Sequence, residues 1–375
     1  MNSIEQIKTL KLQYRLCRKK VPSLKSIISI VEECCSILKL EVPEIIFCES
    51  LKKDFQCFSL RGKEFFIYDS CLIEALFLYD GILFSECKMD DMNKFFYKLF
   101  CEEFLLQDDV LTSMYFAGKY NNLSFSFDSN TTSENRLLRL SMENYFLIGH
   151  ELTHLSLNSG KQYSISKEYK KYVAGCMAGL AKKAIDSNNP VEKVLSERAP
   201  YFLETTPSSI ADYFEMLNSS KKFDDFVEEC YCDFMSFKML MEHYENKQAA
   251  TEAIFSALSC LIVLECLRSS VTEGIDYVKE GSNISNESMF YSVMRTHLLL
   301  VVVETNELNS EFALHSVHDR SIITESLMSF INALPDKDTF TTISEKYFPK
   351  GLTAKDVKDI IIKQLYCISV SSELY

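Results

Sequence analysis

The chain is poor in residues that interrupt helices: only ten of its 375 residues are Gly and seven are Pro. A sandwich or barrel of short strands needs frequent turns, so this scarcity argues against both. With Leu, Ile, Phe, Met, Glu and Lys abundant, the expected class is mainly α, an α+β fold in which helices dominate. Positive charge is also short. Forty Lys and Arg against 53 Asp and Glu leave a formal charge of −13, which excludes a nucleic-acid backbone as the main partner. The first twenty residues are the exception: Lys8, Lys11, Arg15, Arg18, Lys19 and Lys20 face only Glu5, and read as a solvated helix face in preference to a basic arm.

Long apolar runs are missing too. The longest uncharged stretches, Ile254–Leu264 and Leu298–Val303, fall well short of the roughly 20 residues that cross a bilayer, so buried helices and no membrane span are expected. No charged segment followed by an apolar run opens the chain, so no secretory leader is expected. The fourteen cysteines are scattered irregularly through a large chain. That pattern reads as free thiols in a reducing, cytoplasmic setting and not as a disulfide framework. The sequons at Asn122, Asn130, Asn218, Asn283 and Asn286 are then idle.

Apolar spacing predicts an amphipathic helix over 24–39, then short β-rich runs to about residue 69, broken by the turn-forming Arg61-Gly62-Lys63. Within these, FFIYDS is readable either as an edge strand for an extended peptide or as a core strand. Helices are predicted over 70–80, 91–107, 134–157, 167–186, 223–243, 248–268, 286–304 and 319–333, with a Ser/Asn-rich loop at 121–133 and a short polar tail at the end. Three parts follow: 1–157 with the small β segment; 158–222, a helical insertion holding the breakers Pro190, Pro200 and Pro207; and a helical 223–375. Together they are expected to make one catalytic unit.

The chemistry concentrates in His150-Glu151-Leu152-Thr153-His154. Four residues apart on a helix, the two imidazoles project from one face and can reach one ion. On a wheel of about 100° per residue, Tyr145, Ile148, Leu152 and Leu155 fall on the opposite side, free to pack on the core. Glu151, offset from both rings, is placed to hold and deprotonate a water without ligating. Zinc suits this donor set, but a catalytic zinc needs a third protein ligand. Glu229 and Asp233 share a face of the helical segment FDDFVEECYCDFMSFKMLM. Glu229 is the candidate ligand, and Asp233 the acceptor for the outer nitrogen of a ligating histidine. Glu228, with Cys232 at that spacing, is expected to contribute little. The stripe Phe223, Phe226, Val227, Cys230 and Phe234 is expected to bury this helix against the histidine helix.

His150-Glu151-x-x-His154 with Glu229-x-x-x-Asp233 resembles the gluzincin metallopeptidases, whose signature is HExxH followed by ExxxD on a second helix. The resemblance implies that His150, His154 and Glu229 bind zinc and that Glu151 is the general base. The remoter layout is similar to small intracellular gluzincins, including Lit-type phage-exclusion peptidases. That similarity implies hydrolysis of a protein or peptide substrate and a place in phage defence. Hydrolysis also needs a group for the developing oxyanion. His315, His318 and Arg320 are the downstream candidates, since related gluzincins carry a His and an Arg in a comparable place; the same residues also read as a polar turn before a helix. Two other readings stand beside the peptidase. One is a regulatory protein that holds zinc without turnover, which leaves Glu151 unexplained. The other is a toxin or host-defence peptidase with a single protein target.

Overall fold

A computed structural model describes residues 15–16, 24–83, 89–127, 134–158, 164–274, 287–305 and 310–365. Among the described residues the chain is mainly helical, with one small sheet near the N-terminus, as its composition predicts. The sheet has the strand order β1 (Arg15–Leu16), β2 (Glu44–Glu49), β4 (Lys63–Asp69) and β3 (Gln56–Leu60). Helix α1 (Leu24–Leu38) precedes β2. Strands β2 and β4 run parallel, while β3 and β4 form an antiparallel hairpin. Its two-residue turn has positive φ at both Arg61 (53°) and Gly62 (76°), the backbone that lets a tight turn follow the strand twist. FFIYDS therefore falls, but for its final Ser70, in β4, which has a strand on either side, and β3, like β1, is an edge strand among the described residues. Phe65, Phe66, Ile67 and Tyr68 are all buried, the continuous apolar run of a strand covered on both faces.

The loop entering β3 is tied down at several points. Asp69 accepts N–H bonds from Ser50 (2.9 Å), Asp54 (3.3 Å) and Cys71 (3.0 Å). Lys53 is buried and reaches Glu102 at 3.0 Å. Arg268 donates to the Lys52 carbonyl at 2.9 Å.

Helices then follow in sequence: α2 (Ser70–Leu83), α3 (Met89–Leu106), α4 (Val110–Asn121) and α5 (Glu134–Asn158). After them come α6 (Lys167–Asp186), α7 (Val191–Phe202), α8 (Ile210–Ser219), α9 (Lys222–His243) and α10 (Lys247–Glu273), then α11 (Glu287–Thr305) and α12 (Ser310–Ala333). The expected polar tail instead folds as α13 (Lys337–Tyr347) and α14 (Ala354–Leu365), which pack on α4. Pro200, expected to break structure, lies inside the last turn of α7.

Two apolar cores hold these helices. The larger joins α1–α5, α10 and the C-terminal helices. The smaller joins α6, α7, α8, the first half of α9 and part of α11. Helix α11 belongs to both, giving Met294 and Leu298 to the smaller core and Leu299 and Val303 to the larger. Helix α10 is largely apolar and mostly buried. Among the described helices it alone is long and apolar enough to cross a membrane, yet 83% of its most apolar window is buried inside the fold. The described cysteines are thiols, none joined to another in a disulfide.

Candidate metal centre

The site forms where α5 crosses α9. Tyr145, Ile148, Leu152 and Leu155 are buried as the wheel predicts, which leaves the opposite face of α5 to present His150 and His154. Close approach depends on Gly149: a Cβ there would stand 2.7 Å from Ser236 Oγ and 3.0 Å from Met239 Cε on α9. The expected stripe on α9 is redirected. Phe223, Phe226, Val227 and Cys230 are buried, but in the smaller core, away from α5. The side of α9 that meets the larger core carries Phe237, Met239 and Leu240. Helix α9 is thus gripped from two sides, with its carboxylates held in the seam.

In that seam the two rings turn their Nε2 atoms toward each other, 3.2 Å apart. Glu229 straddles them, with Oε2 3.4 Å from His150 Nε2 and Oε1 3.2 Å from His154 Nε2. Donors bound at 2.0–2.1 Å around a tetrahedral ion stand about 3.3–3.4 Å apart; the two Nε2 atoms are near that spacing, each ring meets a different oxygen of Glu229, and one donor atom from each of the three residues lies within 4.8 Å of the other two. The outer nitrogens face carboxylates, as ligating histidines require. His154 Nδ1 lies 2.8 Å from Glu228 Oε1. His150 Nδ1 lies 2.9 Å from Asp233 Oδ1, at ion-pair distance but off the line of a straight N–H···O bond. Glu228, given no part in the sequence reading, is thereby the carboxylate that orients His154.

Charge strengthens the fit. Four carboxylates (Glu151, Glu228, Glu229 and Asp233) surround two imidazoles, with one guanidinium against them, a surplus of negative charge that a cation would neutralise. Burial disfavours the charged form of His150, yet Asp233 and Glu229 outweigh it and raise the ring to about 10. A cation would take the place of that proton. Burial would also raise Glu229, but Arg295 and the two imidazoles hold it well below the usual carboxylate range.

Glu151 stands outside the triangle. Its Oε2 accepts the N–H of Cys57, on the edge strand β3, at 3.3 Å, and burial, opposed by the two imidazoles, pushes it up to about 7. A cavity of about 240 Å³ opens beside it, walled by Phe55, Leu72, Phe146, Leu147, Leu258 and Leu261, with His150, Glu151, Glu229, Asp233, Asp54 and Arg295 also lining it. A second cleft of about 580 Å³ runs from Glu228 along Lys167, Lys170, Lys171, Asp224 and Asp225.

Arg295 is the residue the sequence reading missed. From α11 its Nε and Nη2 donate to Asp233 at 2.7 Å each, and its Nη1 stands 2.6 Å from Glu229 Oε2. The available signal was a single arginine in the apolar run of α11. His315, His318 and Arg320 fall on α12, so the alternative of a turn gives way to helix; their side chains lie outside the described residues.

Compared with known proteins, the chain matches no family profile, no curated protein and no solved structure. His150, His154 and Glu229 form a group that could hold a metal ion. Its relation to any peptidase family rests on the two motifs alone.

Proposed function

We propose that this protein is a zinc-dependent peptidase of gluzincin type, acting on a protein or peptide inside the cell. The observation that carries the reading is the pairing of roles at one crossing. One donor atom from each of His150, His154 and Glu229 lies within 4.8 Å of the other two, with both outer imidazole nitrogens facing carboxylates, while the fourth acid, Glu151, is turned out of the triangle toward the edge strand β3. A zinc ion bound by His150, His154 and Glu229 would supply Lewis acidity, lowering the pKa of a water and polarising a carbonyl.

Glu151 takes the proton of the attacking water and passes it to the leaving amine, a task suited to a carboxyl raised toward neutrality. The substrate class follows from β3. In a hairpin with a two-residue turn, Leu60 and Lys63 form the hydrogen-bonded pair nearest the turn, so bonding alternates and the main-chain groups of Ser59 and Cys57 point away from β4. With the Cys57 N–H on Glu151, the Cys57 carbonyl and both groups of Ser59 are aimed at an incoming extended chain. An arrangement that only stored zinc would have no use for Glu151 at that edge, which favours turnover over a purely regulatory zinc protein. A single host-defence target, as the Lit-type resemblance implies, is a narrower form of the same reading.

The test pairs metal analysis with cleavage. Protein purified without chelators should hold about one zinc per chain. Glu151→Gln should keep that zinc and its helical content while losing 10²-fold or more of peptide-bond hydrolysis, read by comparing cleaved proteins in host extracts. Undiminished cleavage by this variant, or wild-type protein without a transition metal, would remove the reading.

A further inference from the structure

We propose that Arg295 is a positioning residue for the metal centre, one that reserves Oε2 of Glu229 and so leaves Oε1 as the single carboxylate oxygen offered to the ion. The inference rests on the metal-centre reading above and adds a coordination mode to it. A carboxylate beside an ion can bind through one oxygen or both, and binding through both would fill the position that a catalytic zinc keeps open for water. Here the two oxygens are not equivalent. Oε2 has a guanidinium nitrogen at 2.6 Å, closer than either imidazole comes to the carboxylate, whereas among the described residues Oε1 faces His154 Nε2 at 3.2 Å and no cationic side chain of Lys or Arg.

The guanidinium cannot easily swing away. Its other two donors are fixed on both oxygens of Asp233 at 2.7 Å, Asp233 is 2% exposed, and Met294 and Leu298 anchor α11 in the smaller core. One rigid fork therefore sets the Glu229 carboxylate and the carboxylate facing His150 together. A planar five-donor group can do this and a lysine ammonium cannot, although both carry one positive charge.

Arg295→Lys thus removes the fork while conserving the charge, and separates positioning from repulsion of the ion. Zinc titrated against a competing chelator should bind Arg295→Lys about 10–100-fold more weakly than wild type. The cobalt-substituted variant should show weaker visible absorption than wild type, as Glu229 turns both oxygens to the metal and the coordination number rises. Circular dichroism checks that the helices persist. Arg295→Met is the companion: tighter zinc binding by it would mean that Arg295 only repels the ion, and would overturn the proposal. So would zinc affinity and a cobalt spectrum in Arg295→Lys that match wild type. If wild-type protein takes up neither zinc nor cobalt, the metal centre itself falls and this proposal with it; a wild type that binds both beside an unaltered Arg295→Lys sinks the positioning role alone.

Discussion

Three acids stand within about a turn and a half of α9, and their partners rank them. Glu229 faces both Nε2 atoms, Asp233 meets His150 and Arg295, and Glu228 meets His154. Zinc affinity should fall most in Glu229→Ala, which loses a donor. It should fall roughly 10–100-fold in Asp233→Ala and in Glu228→Ala, which each free one imidazole, with Asp233→Ala the worse of the two because it also releases Arg295. Competition against a chelator reads the order, and a Glu228→Ala variant that binds like wild type would show that His154 needs no anchor. The sequence could identify Glu229 and Asp233, which share a face of α9. It could not reveal Glu228, because which acid meets which ring depends on how α9 lies across α5, a tertiary contact whose close approach at Gly149 and Ser236 no residue spacing announces.

Among the secondary-structure elements, the hairpin gives the sharpest test of the peptide reading. Proline at position 59 removes an N–H that makes no bond to β4 and, besides it, only the exposed Ser59 hydroxyl bond to Glu64 Oε2, so the main-chain strand pairing should survive. A peptide bound along β3 would lose a main-chain partner. Ser59→Pro should keep the stability and zinc content of wild type while raising KM for cleavage about tenfold; an unchanged KM would mean that substrate does not lie on this edge. The long helices were legible because three-to-four-residue apolar spacing survives whatever they pack against, and α1, α5, α6 and α9 begin and end within about one residue of expectation. The placing of FFIYDS was legible in principle, since four successive apolar residues mark a covered strand better than an edge. Helix α14 was also readable: Val357, Ile361 and Leu365 recur every four residues and all are buried. Helix α13 was not, because Lys337–Tyr347 is almost wholly polar and closes on little more than Phe340.

On the scale of the whole molecule, charges buried beneath the sheet set a dependence on pH. Lys98 reaches Glu74 at 3.3 Å and also pairs with Glu102, which Lys53 meets from the loop before β3. Glu102 takes the ionic partnership, and burial pushes Glu74 up to about 7, with its Oε1 lacking any hydrogen-bond partner. Its ordinary value is near 4.5, so between the two values the folded chain holds a proton that the unfolded chain has released. Stability should therefore fall as pH rises from about 5 to 7, by up to about 1.4 kcal/mol per pH unit from this group. Chemical denaturation of Glu74→Gln should show that slope reduced; an equal slope in both proteins would place the charge elsewhere. Nothing in the sequence announces this network, since its members are brought together only by tertiary packing. The dual membership of α11 has a thermodynamic reach of its own. Arg295 ties the ligand pair to a helix shared by both cores, and the rings of Tyr201 and Phe290, stacked 3.8 Å apart, tie that helix to α7. An ion held by His150, His154 and Glu229 would then act as a rivet between the cores, protecting the amides of α6–α8 from solvent exchange although it touches none of them. By reciprocity, any protein that pried those helices loose would weaken ion binding by the same factor by which the ion resists the prying.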